Sequence, residues 1–310
     1  MSVKKFYATA DTTITNAYKE NLRQRGTDAN MGLSDSLEVF FIHGQNPKPD
    51  IEADKLEESR ILIKFDTAAI VSHYGTFPAN VKFVLKLTNA EHAYTLARNY
   101  DLKIYHLEDL FVEGNGLDME SYRDEGFSNW TNSTHLNTWS TPGALHNGAL
   151  EIASQRFDTG EENLEVDVTD YIKDIFDGTI PSDNGIIISM DSSLTDGAQE
   201  QNFYTKKFFS RSSQFFFKHP VIEARDSNSK SDDRGKFYKE SPFVASNEQN
   251  IYLYNSIDGV RTNLVGVVAL ELFEDEAMTT SITTGVISNE ETGIYKATVT
   301  VPNAVAVETI

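Results

Sequence analysis

Apolar and polar positions alternate along much of the chain. Val81, Phe83, Leu85 and Leu87 alternate with Lys82, Val84 and Lys86, and Tyr100, Leu102 and Ile104 with Asp101, Lys103 and Tyr105. A period of two is that of an antiparallel strand with one packed and one wet face. Residues 61–65 and 185–190 are instead short, nearly continuous apolar runs, the pattern of central strands covered on both sides. One helix is predicted: Thr169 or Asp170 is its N-cap, Tyr171, Ile172, Ile175 and Phe176 fall at helical spacing, and Gly178 stops it before Pro181. At about two turns it is too short to persist alone, so its apolar stripe is expected to plug one open end of the sheets. The fold class expected is all-β, an antiparallel β-sandwich of the jelly-roll or carbohydrate-binding-module kind.

Between these elements the loops are long and polar. Residues 44–59 hold Pro47, Pro49 and many acids, and residues 114–148 hold both tryptophans, Trp130 and Trp139. Loops of this length in a compact domain are usually functional or ordered by a neighbour. After Arg225 the character changes to a polar run over 226–235, followed by a short strand candidate, Ile251, Tyr252, Leu253 and Tyr254. Residues 265–273 and 295–301 alternate as strands of a second β unit, and Glu291, Gly293, Tyr295 and Ala297 resemble the tyrosine corner of immunoglobulin-like domains. The organisation expected is therefore a sandwich domain over 1–225, an extended linker over 226–264 and a partial immunoglobulin-like unit over 265–310. In the linker, Ile251, Tyr252, Leu253 and Tyr254 form a candidate protein interface, adding a strand to a neighbouring sheet or lying in a groove. The last unit is short against the roughly 100 residues of a whole immunoglobulin sandwich, so it is expected to be completed by downstream sequence, by the first domain or by another protein.

The stretch from Asn202 to Arg225 carries two aromatic-rich runs, Phe203-Tyr204-Thr205-Lys206-Lys207-Phe208-Phe209 and Phe215-Phe216-Phe217-Lys218-His219-Pro220-Val221-Ile222-Glu223-Ala224-Arg225. Both are read as β, with their ring surface in the core, and any face left uncovered is expected to be a protein interface. The stretch resembles the closing strands of a family of virion structural proteins of marine tailed bacteriophages of the cyanophage type. Gly116-Leu117-Asp118-Met119-Glu120 belongs to the same resemblance. Three upstream blocks, 9–18, 60–66 and 164–172, follow in the order found in those proteins and also resemble the wider DNRLRE class of extracellular β-sandwich domains. Together the blocks cover roughly residues 1 to 225. The resemblance implies a non-enzymatic structural protein of a tailed-phage virion, at the neck, collar or tail, present in several copies and held by other virion proteins. The alternative is a carbohydrate-binding or host-adhesion module on the virion surface.

Composition narrows the partners. With 47 acidic against 27 basic residues the formal net charge is −20, so nucleic acid and anionic membranes are repelled at long range. The chain has no cysteine, which leaves neither disulfides nor thiolate metal sites and suits assembly in a bacterial cytoplasm. The first residues reach Asp11 before an apolar signal core forms, which fits a virion part released by lysis better than an exported domain.

Candidate chemistry is sparse. The seven histidines are scattered without zinc-site spacing, and no nucleophile elbow, phosphate loop or dinucleotide fingerprint is present; no enzyme and no organic cofactor are expected. Structural calcium on Asp11, Asn30, Asp118 and Asp167 is one reading of the loop acids, and ordinary capping is the other. Tyr122, Phe127, Trp130 and Trp139 either form a stacking platform for a host glycan, with Tyr122, Trp130 and Trp139 as its binding residues, or bury in their loop.

Overall fold

The computed structural model describes residues 3–43, 56–91, 97–119, 127–145, 148–180, 184–191, 194, 203–226, 249–257 and 260–302. The chain divides into two compact units, Met1–Ser227 and Asn228–Ile310.

The first unit is an all-β, antiparallel, sandwich-like domain. Its strands are β1 (Val3–Thr15), β2 (Ser36–His43), β3 (Leu56–Phe65), β4 (Val81–Leu87), β5 (Tyr100–His106), β6 (Glu151–Phe157), β7 (Leu164–Asp167), β8 (Ile186–Met190), β9 (Phe203–Phe209) and β10 (Val221–Asp226). They pair in the order β6-β5-β8-β3-β1-β10-β4-β7, with β2 joining β3 to β9. Strand β1 belongs to both layers. Its first residues pair with β10, Val3 opposite Arg225 through Tyr7 opposite Val221. From Ala8 onward it pairs with β3 instead, and the register shifts between Ala8 and Ala10. A bulge at a corner is how a strand bends from one sheet into another.

The apolar pattern maps onto this frame. In β5 Tyr100, Leu102, Ile104 and His106 are buried and the residues between them only partly so. Strand β4 buries Phe83, Leu85 and Leu87 too, but Val84 between them is also buried, so the alternation there is incomplete. The continuous runs are buried on both sides: Ile61, Ile63, Ile186 and Ile188 face the main core, while Leu62 and Ile187 face a second cluster with Ile14, Leu107, Phe111, Trp130 and Trp139. The expectation of cover on both sides thus holds at β3 and β8, where the long loop after β5 folds back over their outer side.

Two α-helices are delimited among the described residues. The expected one, α2 (Thr169–Phe176), follows Val168 as N-cap, which contributes no side-chain bond. Neither Thr169 nor Asp170 caps it; the Asp167 carboxylate accepts the Thr169 N–H at 3.0 Å instead. The unexpected one, α1 (Thr67–Tyr74), is capped by Asp66, whose carboxylate accepts the Ala69 N–H at 2.9 Å, and ends at Gly75 with φ +70°. Both ends were signalled in the sequence, but the segment lacks a strong apolar stripe.

In the second unit β11 (Gln249–Tyr254), β17 (Ile294–Val299) and β16 (Val286–Glu291) form an antiparallel sheet. Short strands β12 (Ser256–Ile257) and β13 (Val260–Arg261) pair with each other, as do β14 (Glu271–Phe273) and β15 (Ser281–Thr284). Two expectations are corrected. Ile251, Tyr252, Leu253 and Tyr254 are not a free arm, because β11 pairs with β17 along its length, Tyr252 opposite Lys296. Residues 265–270 are not a strand, and Val265 and Val267 are fully exposed. The stretch 227–248 of the expected linker lies outside the described residues. Tyr295 sits at the start of β17 and its hydroxyl accepts the Leu264 N–H at 2.8 Å. A tyrosine corner bonds backbone only a few residues upstream, whereas this partner is 31 residues away, so the bond ties a loop to the sheet.

Two stability outcomes are expected. Trp130→Ala removes a buried indole over the outer face of β3 and β8 and should destabilise the first unit by about 3–5 kcal/mol in urea unfolding. Tyr295→Phe leaves the Leu264 N–H without its acceptor and should lower the unfolding free energy of the second unit by about 1–2 kcal/mol.

Candidate functional site: an aromatic turn on a buried carboxylate

The second aromatic run is not a strand. Phe216–Lys218 form a 3-10 turn, and β10 begins only at Val221, after Pro220. The turn stands three rings in solvent: Phe215 and Phe216 are about half exposed and Phe217 is 86% exposed. Phe208 in β9 is fully buried, and Phe203 at the other end of that strand is exposed. The expectation that the block is core therefore holds for Phe208 and fails for the turn. Two consecutive strand residues face opposite sides of a sheet, but a tight turn sends successive rings out of the same bend.

The rings form a knob. Phe216 lies 4.6 Å from Tyr7 of β1, centroid to centroid, at 42°. Phe215 meets Phe209 at 78° and Phe217 meets Phe216 at 72°, both edge to face. The Lys218 ammonium sits 4.3 Å from the centre of Phe209 and 5.0 Å from that of Phe215, an arrangement that attracts a cation to the ring face. His219 Nε2 lies 2.7 Å from the Ser213 carbonyl and closes the base of the turn.

Beneath the knob, residues 210–213 are fastened to three distant segments. Ser210 Oγ donates to Ser34 O at 2.5 Å. The Arg211 N–H donates to Asp11 Oδ2 at 2.7 Å, and its guanidinium bonds Glu113 Oε2 at 2.7 Å. The other Glu113 oxygen accepts the Asp11 N–H at 2.7 Å. Asp11 is 1% exposed, and its Oδ1 has no hydrogen-bond partner. Burial pushes its carboxyl up to about 7; the Arg211 N–H and charge pull down and the Glu113 charge pushes up. The cost of burying the charge wins because the guanidinium is already held by Glu113, and one backbone bond is too little to offset desolvation.

Asn30 completes the floor. Its Nδ2 donates to Glu113 O at 2.8 Å and Ser128 O at 2.9 Å, and its Oδ1 accepts the Gly32 N–H at 3.1 Å and the Gly116 N–H at 2.8 Å. The backbones approach so closely that a Cβ on Gly116 would lie 1.9 Å from Asn30 O, which requires glycine there.

This geometry rearranges the expected sites. Asp11 and Asn30 share one loop cluster, but both lone-pair positions of Asn30 Oδ1 are occupied. Asp167 is engaged by Thr169 and by Lys82 at 3.0 Å. Among the described residues no three acidic or histidine side chains are grouped to hold a metal ion.

The glycan platform is corrected as well. Trp130 is 8% and Trp139 4% exposed. Trp139 Nε1 donates to Asn129 O at 2.7 Å, and the Arg60 guanidinium covers Trp130 at 5.0 Å. Buried in this way neither indole offers a face to a sugar ring, and Tyr122 lies outside the described residues. A cleft of about 580 Å³ opens at the start of α2, lined by Asn80, Lys82, Ile152, Asp167, Thr169 and Tyr171; its Asp167 is bonded to Thr169 and Lys82. No protein-family model and no curated protein matches the chain.

The Asp11 site carries a pH prediction. Its folded pKa lies above the ordinary carboxylate value, so the protonated form favours folding. That contribution is whole below about pH 4 and is lost as pH rises to about 7. Asp11→Asn should therefore gain stability relative to wild type between pH 5 and pH 8, by about 2 kcal/mol in paired urea titrations. A constant difference at both pH values would show that Asp11 is ionised throughout.

Proposed function

We propose that the protein is a non-enzymatic structural component of a tailed-phage particle, at the neck, collar or tail, held in place by protein–protein contacts. The resemblance of residues 1 to 225 to cyanophage-type virion proteins supplies the particle. The exposed knob of Phe215, Phe216 and Phe217 supplies the mode of attachment, and it is the observation that carries the reading. Three neighbouring phenyl rings with no hydrogen-bonding group of their own are costly to leave in water, and clusters of this kind mark contact surfaces.

The ring geometry favours a protein partner over a sugar. A glycan stacks on one open, flat face with polar groups beside it, whereas these rings meet at 72° and 78°. Edge-to-face rings present a ridged surface of the sort that side chains interdigitate with. The anchoring of residues 210–213 on Ser34, Asp11 and Glu113 fixes the ridge in one conformation, which lowers the entropy lost on docking.

Quantitative mass spectrometry of purified particles tests the reading. The protein is expected in multiple copies at a fixed ratio to the other particle proteins. A chain carrying Phe216→Ser and Phe217→Ser should fold normally yet fall below wild type in incorporation by about tenfold or more. Absence of the wild-type chain from particles would refute the proposal.

A further inference from the structure

The knob has a counterpart on the same domain. Residues 203–222 contain no Asp or Glu in a chain with 47 acids, and Lys218 stands among the exposed rings. The loop after β5 has the opposite character: residues 106–118 carry Glu108, Asp109, Glu113 and Asp118 without a Lys or Arg. From that loop and its neighbour, Leu33, Leu110, Val112 and Leu117 are each between 40% and 49% exposed. One half of the surface is aromatic and cationic, the other aliphatic and acidic.

The halves adjoin. Ser212 Oγ donates to Gly32 O at 3.4 Å, the Leu33 N–H to Gly116 O at 2.9 Å, and Arg211 bridges to Glu113. The exposed rings alone leave on the order of 400 Å² of apolar surface, and with the four aliphatic side chains the area approaches the ~800 Å² per partner of a standard interface.

A surface made of two complementary, adjoining halves is self-complementary about a two-fold axis. We infer that it is the interface of a symmetric dimer of this chain, in which the phenyl knob and Lys218 of each copy pack on the leucine-rich acidic loop of the other. Crossed pairing of this kind is the defining property of an isologous contact. It also places a cation opposite acids where two chains of net charge −20 would otherwise repel. The inference rests on the assembly reading above and names the partner.

Sedimentation velocity of the full chain in about 0.15 M salt, where charges more than ~8 Å apart are screened, tests it. Wild type at about 100 μM is expected as a dimer, as for any dissociation constant near 1 μM. Phe217→Ser touches no core packing and should yield monomer. Lys218→Glu and Asp109→Lys should each weaken dimerisation by about 10- to 100-fold, since a reversal acts twice in a symmetric pair. Mixing those two charge variants should restore a dimer, because both crossed contacts are then between opposite charges. Wild-type monomer throughout, a dimer unaffected by Phe217→Ser, or a mixture no better associated than its components would overturn the inference. A monomer that is nevertheless recovered in particles would sink the dimer and leave the structural role standing, whereas a dimer absent from particles would do the reverse.

Discussion

The first unit depends on one strand serving two sheets. Val3 to Tyr7 bond to β10 and Ala8 to Thr15 bond to β3, with a register shift at the join. Without that bend the β10-β4-β7 layer and the β3-β8-β5 layer would share no backbone bond through β1, and their ties would fall to the core between them and to the segment after β4, where the Phe209 N–H bonds Thr88 O and the Ala90 N–H bonds Lys207 O, each at 3.0 Å. The same bend sets the site. Tyr7, just before it, lies under Phe216, and Asp11, just after it, is carried into the interior beneath Arg211. Side chains on either side of a bulge lose strict alternation, which lets one strand serve the surface knob and its buried anchor four residues apart.

Two buried charges in this unit show how differently the same desolvation cost is met. Lys206 is fully buried, yet its ammonium donates to Asn89 Oδ1 at 2.6 Å and Gly160 O at 2.8 Å and lies over the rings of Phe157 and Phe208. Burial lowers its pKa, with the charges of Glu162 and Glu161 opposing, to about 8, so at neutral pH it remains mostly charged. Asp11 has a backbone donor on one oxygen and nothing on the other, and its carboxyl is pushed up to about 7. In both groups burial is the leading cause, opposed for Lys206 by the charges of Glu162 and Glu161 and for Asp11 by the Arg211 N–H and charge.

The sequence carried this fold unevenly. Period-two patterns in β4 and β5, the continuous runs of β3 and β8 and the stripe of α2 were all legible, because each is a local consequence of which faces are buried. Which segment covers the outer face of β3 and β8 was not legible. Trp130 and Trp139 belong to a polar loop whose sequence favours solvent, and only the apolar Leu62 and Ile187 on the far side of the sheet give them a place to go. Asp11 was visible as a loop acid but its role was not, since its partners lie 102 and 200 residues away. The turn at Phe216 was hidden by composition: three phenylalanines in a row score as strand whatever their environment, and the Ser-Arg break and Pro220 on either side were the signals against it.

Irregular backbone, rather than strands, carries much of the exposed apolar surface in both units. In the first it is the turn with Phe217 and the loop with Leu110 and Leu117; in the second it is the loop with Val265 and Val267, while Val299 and Val301 are buried against Leu270, Leu272 and Ile282. A strand that displayed such residues would also display its hydrogen-bonding edge and invite unlimited pairing with other chains. A turn displays side chains while its own backbone groups are already bonded, as the Lys218 N–H is to Phe215 O at 2.8 Å. Recognition through a turn is therefore specified by ring shape and by the charge beside it, and it closes when the matching surface is filled. For a chain with no disulfide to lock its fold, that keeps the proposed contact surface apart from the strands whose edges must stay unpaired.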